Sequence, residues 1–226
     1  MRVLIGTPTF EYHRHCFTEF TRSLDRQTER RFDVVLVDNS PTDDFVNFLR
    51  EQRAPVFRTP FHPLMRERTT RARDMIRDML LRGEYTHLLF LDQDVILPAD
   101  GLARLLEHQL PIVSGVYCKE YDGDEYAMVV MSDWRERASG LKVTPIERLE
   151  GKRLFEIEAA GFGCLLIERT LAAEVPLRYT EEIGNDLAFS EDVRKLGERI
   201  FCDATLRCGH QYVVRDFERH PLWGRW

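Results

Sequence analysis

The chain has 226 residues, 43% of them apolar and 31% charged, with a formal net charge of −6. That length suits one substantial core, the composition is that of a soluble globular protein, and the acidic balance argues against a general nucleic-acid binder. No apolar run approaches the roughly 18–20 residues that cross a bilayer, and the opening MRVLIGTPTF has no small-residue cleavage site, so it reads as a buried strand.

Strand and helix signals alternate along the chain. Residues 3–6 form a short apolar run ending in Thr7-Pro8-Thr9, after which Phe17, Phe20 and Leu24 recur at helical spacing. Residues 34–37 are a β-branched run stopped by Asp38-Asn39-Ser40-Pro41, a turn cluster. A second helix is predicted around 45–49 and a strand at Val56-Phe57. Ala72, Met75, Ile76, Met79 and Leu80 share one face of a third helix that Gly83 stops. Residues 87–91 are an uninterrupted apolar strand running into Asp92-Gln93-Asp94, and Leu102, Leu105 and Leu106 mark another helix. Further strands are expected near 112–117 and 126–131. This alternation implies right-handed crossovers and an α/β fold with a central, mostly parallel sheet flanked by helices. Strands apolar along their whole length fit burial on both faces. After about residue 120 the elements shorten, which suggests that the sheet becomes mixed. No linker or repeat divides the chain, so it reads as one domain, with residues 1–118 as its first half and 119–226 as its second. Cys16, Cys118, Cys164, Cys202 and Cys208 are odd in number and lack Cys-x-x-Cys spacing, so they read as free thiols in a reducing cytoplasm.

Open α/β sheets bind ligands beyond the carboxyl ends of their strands. Asp92 and Asp94 stand at such an end. Side chains two apart in an extended segment point the same way, and two neighbouring carboxylates repel unless a cation or donors compensate. A divalent metal would do so. The alternative is that Asp92 caps a turn and Asp94 is solvated.

The order of these features resembles the A-type-fold glycosyltransferases, particularly the large glycosyltransferase family 2 group and related nucleotide-diphospho-sugar transferases. The shared pattern comprises Ile5-Gly6-Thr7-Pro8-Thr9 after the first strand, Val37-Asp38-Asn39-Ser40 after the second, and Ala72-Arg73-Asp74 opening a helix. It continues with Leu91-Asp92-Gln93-Asp94, Ala160-Gly161-Phe162-Gly163-Cys164, Ser190-Glu191-Asp192 opening a late helix, and Gly197 to Asp203 followed by Cys208-Gly209-His210. It spans roughly residues 3–210, nearly the whole chain.

The resemblance implies a Rossmann-like nucleotide-diphospho-sugar transferase fold and a metal-dependent transfer of a sugar from a UDP- or GDP-linked donor to a hydroxyl acceptor. Asp92, Asp94 and His210 would hold Mn²⁺ or Mg²⁺, which would stabilise the departing diphosphate. Thr7, Pro8, Asp38, Arg73, Asp92 and Gln93 would contact the nucleotide, with Asp38 on base or ribose. Arg66, Arg68 and Arg71 make a basic stretch around Arg73 that reads mostly as a solvated face. Gly161, Phe162 and Gly163 would approach the acceptor or sugar. Asp192 or Glu191 would face the acceptor as general base in an inverting enzyme, although a serine followed by two acids is also an ordinary helix start. Trp223 and Trp226 could stack on sugar or join subunits of a homo-oligomer. Two rival readings are a sugar-1-phosphate nucleotidyltransferase and a non-catalytic nucleotide- or carbohydrate-binding module. The first lacks its Gly-rich, basic loop at Thr7-Pro8-Thr9-Phe10-Glu11, and the intact carboxylates with His210 speak against the second.

Overall fold

The apolar runs become strands whose alternate residues enter two separate cores. The structure is a computed structural model that describes residues 1–121, 124–131, 135–136 and 142–211; Trp223 and Trp226 lie outside the described residues. β1 (Val3–Thr9) is followed by a 3₁₀ turn (Glu11–Cys16), α1 (Phe17–Asp25), β2 (Phe32–Asp38), α2 (Asp44–Glu51) and β3 (Val56–Arg58). Next come α3 (Met65–Arg82), β4 (His87–Leu91), β5 (Val95–Ile96), α4 (Gly101–Glu107) and β6 (Ile112–Val116). The shorter pieces are β7 (Cys118–Tyr121), β8 (Asp124–Ala127), β9 (Val129–Val130), β10 (Arg135–Glu136), β11 (Lys142–Pro145) and a second 3₁₀ turn (Ile146–Leu149). The chain continues through β12 (Leu154–Ile157), β13 (Ala159–Ala160), β14 (Cys164–Glu168), α5 (Arg169–Glu174), α6 (Asn185–Lys195), β15 (Ile200–Arg207) and β16 (Gly209–His210).

Eight strands form the central sheet in the order β12-β15-β6-β14-β4-β1-β2-β3. β1 pairs in parallel with β2 and β4, β2 with β3, and β6 with β15. β14 runs antiparallel to both β4 and β6, and β12 antiparallel to β15. The expected mostly parallel, mixed sheet flanked by helices is therefore what forms. The period of two along a strand divides its side chains between faces: Leu88 and Phe90 enter one core with Ile76 and Phe162, while Leu89 and Leu91 enter the other with Phe20, Phe45 and Leu102. β14 arrives from the second half of the chain yet lies between β4 and β6 of the first, so the two halves share one sheet.

Two helix starts differ from the sequence reading. α3 begins at Met65, so Ala72-Arg73-Asp74 lies inside it and not at its head; Leu64 precedes it without a side-chain cap. α6 begins at Asn185, five residues ahead of Ser190, behind an uncapped Gly184. Ser190 donates its hydroxyl to the Asp186 carbonyl at 2.8 Å, one turn back, so it is a helix-interior residue. Beyond α6, Gly197 has φ +85°, the left-handed conformation that glycine adopts without a Cβ penalty. No helix among the described residues is long and apolar enough to cross a membrane.

Candidate active site

Because β1, β2, β3 and β4 are parallel, their last residues share one edge of the sheet. Polar side chains collect there in an interior setting: Thr7, Thr9, Asp38, Asn39 and Thr59 are each 4% exposed or less. Asp38 Oδ1 accepts from the Ser40 hydroxyl at 2.7 Å, and Arg58 Nε stands 3.7 Å from Asp38 Oδ2. Burial pushes the Asp38 carboxyl up, against the opposing pull of Ser40 and Arg58. Thr7 Oγ1, Thr9 Oγ1, Asp38 Oδ2, Asn39 Oδ1 and Thr59 Oγ1 have no hydrogen-bond partner among the described residues. An unsatisfied buried polar atom costs about 1–3 kcal/mol, and proteins retain such atoms for a reason. A cluster of five along one edge is what a polar ligand would satisfy. Pro8 is buried between Thr7 and Thr9.

Beyond β4 the chain turns. The Asp92 N–H donates to the Gly163 carbonyl at 3.1 Å, and the Asp92 carbonyl accepts from the Val95 N–H at 3.0 Å. Residues 92–94 are thus a turn and not an extended segment, so the two carboxylates diverge. Asp92 turns to Arg73, whose Nη2 donates to Oδ1 at 2.9 Å. Asp94 turns to His210, with Nε2 3.2 Å from Oδ2. Gln93 between them is fully buried and donates from Nε2 to the His13 carbonyl at 3.1 Å, with no hydrogen bond to Oε1 among the described residues.

His210 reaches Asp94 across 116 residues because β16 pairs antiparallel with β5, placing His210 opposite Val95. Its Nδ1 donates to the Cys118 carbonyl at 2.6 Å, which assigns the lone pair to Nε2 in the neutral ring. A carboxylate oxygen and an imidazole lone pair at 3.2 Å repel unless a proton or a cation lies between them. Two neighbouring ligands of a divalent ion bound at about 2.1 Å are separated by about 3 Å, and a histidine ligand ordinarily donates its other nitrogen to a carbonyl or carboxylate. Asp94 and His210 meet both conditions. Burial pushes the Asp94 carboxyl up, but a protonated His210 donating to it, with the charges of His13, His210 and Lys119, outweighs burial and holds the group below the usual range; with His210 neutral, a cation would take that proton's place. The expected trio is not assembled: no group of three or more His, Cys, Asp or Glu side chains among the described residues is set to hold a metal, because Asp92 is turned to Arg73.

Arg73 links two helices to this turn. Nη1 donates to Asn185 Oδ1 at 3.1 Å, and the guanidinium stacks 4.7 Å from the Phe162 ring centre. Asn185 and Asp186 open α6, and Asp92 and Asp186 are the two carboxylates that act on the Tyr117 hydroxyl; burial with their charge pushes it well above the ordinary tyrosine range. Asp186 follows Asn185 in the first turn of α6, one residue beyond the contact with Arg73. Glu191 and Asp192 are not brought there. Glu191 is exposed, and Asp192 is paired with Arg178 Nε at 2.6 Å and Lys195 Nζ at 2.8 Å, which hold its carboxyl below the usual range.

The Gly161-Phe162-Gly163 segment also departs from its expected place. Phe162 is 1% exposed, between Phe90 and Phe189, so it lies within the core and does not face an acceptor. A Cβ on Gly161 would stand 2.1 Å from Tyr117 Oη, and one on Gly163 would stand 2.4 Å from Tyr117 Cζ. The space beside both glycines belongs to Tyr117, whose hydroxyl accepts from the Gly163 N–H at 3.1 Å and whose ring stands edge-on to His210 at 5.4 Å.

Two residues at the site carried no signal that sequence reasoning used: His13, whose Nε2 stands 3.8 Å from Asp94 Oδ2, and Tyr117. Arg68, expected on a solvated face, is instead 1% exposed. Arg68 packs over the Phe10 ring at 4.5 Å, donates to the His62 and Pro63 carbonyls at 3.4 and 3.2 Å, and is lowered to about 10 by burial. Arg66 donates to the Glu181 carbonyl and Arg71 pairs with Glu67, both on the surface as expected.

Comparison with known proteins bears on the same edge. Among solved structures the chain is similar to A197 from STIV (TM-score 0.55, 17% identity, 94% of this chain and 86% of that one). It is also similar to GalNAc-T7 crystallised with UDP, GalNAc and Mn²⁺ (TM-score 0.68, 16% identity, 97% of this chain) and to S. aureus TarS 1–349 (TM-score 0.62, 16% identity, 93% of this chain). These likenesses are of fold, and the chain spans 45% of the GalNAc-T7 chain and 60% of the TarS chain. No curated protein matches the sequence. The pattern described as glycosyl transferase family 2 matches residues 5–148, which is 144 of 226 residues and includes the ends of β1, β2 and β4. The chain, with its parallel strand ends and its Asp-Gln-Asp turn, belongs to glycosyl transferase family 2.

Proposed function

We propose that this glycosyltransferase moves a sugar from a UDP- or GDP-linked donor to a hydroxyl acceptor, with Asp94 and His210 as the protein ligands of a divalent cation. One observation carries the reading: the Asp94–His210 pair at 3.2 Å stands on the same strand edge as five buried, unsatisfied polar atoms. Thr7, Thr9, Asp38, Asn39 and Thr59 receive the nucleoside, whose polar groups satisfy those atoms. Arg73 holds Asp92 beside the diphosphate or ribose. Asp94 and His210 would hold the cation, and a carboxylate with an imidazole suits Mn²⁺ or Mg²⁺. When bound, the cation supplies Lewis-acid stabilisation of the departing nucleoside diphosphate.

Asp186 is the acceptor-facing carboxylate. In an inverting transfer it takes the proton of the attacking hydroxyl; in a retaining one it orients acceptor or sugar. Asp192 already holds two cationic side chains and Glu191 is solvated, so neither competes for that role. GalNAc-T7, crystallised with UDP and Mn²⁺, supports a nucleotide donor and this metal. The test is thermal unfolding with UDP or GDP, each with and without Mn²⁺. Nucleotide and metal together should raise the melting temperature more than the sum of each alone; at about 100 times the dissociation constant a ligand adds about 2.7 kcal/mol. No shift with either nucleotide in Mn²⁺, or full donor turnover in EDTA, would refute the reading.

A further inference from the structure

Gly184, the residue ahead of α6, has φ −62° and ψ 155°, a conformation open to any amino acid. The backbone therefore does not call for glycine. The adjacent carboxylate does. A Cβ on Gly184 would stand 2.4 Å from Asp186 Oδ1 and 3.6 Å from its Cγ, and apart from its chain neighbours it would meet no other atom of the described residues within 4 Å. Asp186 has turned its carboxylate back over the bare Cα, where Oδ1 accepts from the Leu187 N–H at 2.9 Å.

The residue between them cannot yield. Asn185 is 7% exposed, with Oδ1 accepting from Arg73 at 3.1 Å and Nδ2 donating to Thr70 at 3.0 Å. Both ends of its amide are tied to α3, so the first turn of α6 is fixed against the helix that carries Arg73. A methyl group at position 184 must then be accommodated by the one movable part, the Asp186 side chain. No cation pairs with that carboxylate among the described residues, so its displacement breaks no ion pair.

We infer that Gly184 is a positioning residue: its missing side chain sets where the Asp186 carboxylate stands, and any larger residue displaces it. The inference rests on the reading of Asp186 as the acceptor-facing acid. Moving Oδ1 from 2.4 Å to ordinary contact shifts it by roughly an ångström, and a misplacement of that size can cost about a hundredfold in rate.

The experiment compares the full chain with Gly184→Ala, Asp186→Asn and the double variant. It follows Mn²⁺-dependent hydrolysis of UDP-glucose and GDP-mannose, with water standing in for the acceptor, alongside melting temperature and nucleotide affinity. Gly184→Ala should lower kcat ten- to a hundredfold, with donor KM and melting temperature unchanged, and should add nothing in the Asp186→Asn background. An inactive Asp186→Asn beside a fully active Gly184→Ala would overturn the positioning role while leaving Asp186 in place. A fully active Asp186→Asn would overturn the reading of Asp186 and the inference with it. A lowered melting temperature in Gly184→Ala that accounts for its lost activity would also overturn it.

Discussion

Tyr117 and the two glycines beside it provide a test with a defined sign. Replacing Gly161 with alanine drives a methyl group to 2.1 Å from the Tyr117 hydroxyl oxygen, but only to 3.2 Å from Cζ. Replacing Gly163 drives it to 2.4 Å from Cζ and 2.8 Å from Cε1 and Cε2. The first conflict is with one atom, the second with the ring. Overpacking of a tight interior costs about 1–3 kcal/mol. Tyr117→Phe alone leaves the buried Gly163 N–H without its acceptor, at about 1–3 kcal/mol. In the Gly161→Ala/Tyr117→Phe pair the clash disappears with the hydroxyl, so the double variant should be more stable than the sum of single losses by at least about 1 kcal/mol. The Gly163→Ala/Tyr117→Phe pair should show no such rescue, since the ring remains. Urea unfolding of the six proteins at one pH measures both coupling energies. No rescue at Gly161 would show that this glycine is small for some reason other than the Tyr117 hydroxyl, and equal rescue at Gly163 would refute the distinction between hydroxyl and ring.

Asp203 should govern acid stability. Burial pushes its carboxyl up, but bonds from Thr205 and His108 with the Arg104 charge hold it at about 2, against an ordinary 3.8. Because the folded value is depressed, its contribution of roughly 2 kcal/mol is present above pH 4 and is lost as pH falls from 4 towards 2. Asp203→Asn should lose about that much at pH 7 and flatten the acid limb, as read by urea titrations across pH. Asp94→Asn and His210→Gln should each abolish the Mn²⁺-dependent rise in melting temperature while leaving the metal-free melting temperature within a few degrees; retention of the rise in both would remove the metal assignment. Burial pushes the Cys16 thiol up to about 12 and holds the Cys202 thiol far above the ordinary range. Iodoacetamide at pH 7.5 should therefore leave both unmodified in the native protein and label both in urea, as mass spectrometry would show.

Sequence and structure agree wherever local pattern decides the outcome. The apolar runs at 3–6, 34–37 and 87–91 lie within β1, β2 and β4, and the 3.6-residue spacing from Ala72 to Leu80 lies within α3. Helix heads were less legible because neither α3 nor α6 carries a side-chain cap. Ser190-Glu191-Asp192 has the composition of a start, yet its serine bonds back into an existing turn. Asp92 and Asp94 were legible as a pair but not as a divergent one, since the intervening turn depends on bonds from Gly163 and Val95. Nothing local could reveal that Tyr117 fills the space beside Gly161 and Gly163, 44 and 46 residues further along, or that His13 stands near Asp94. The acid at the head of α6 is not singled out in the sequence because Ser190-Glu191-Asp192 marks a helix start five residues later than the true one.

The insertion of β14 has a kinetic consequence. Residues 112–116 and 87–91 never touch as neighbouring strands; both hydrogen-bond to residues 164–168, a segment made more than fifty residues after the first and more than seventy after the second. Until that segment emerges from the ribosome, β4 and β6 present bare, apolar edges of the kind that recruit strands from other molecules. Pairings so distant in sequence close slowly. A fragment ending at residue 121 should therefore aggregate, and refolding of the whole chain should be sensitive to concentration, with a holdase chaperone raising its yield.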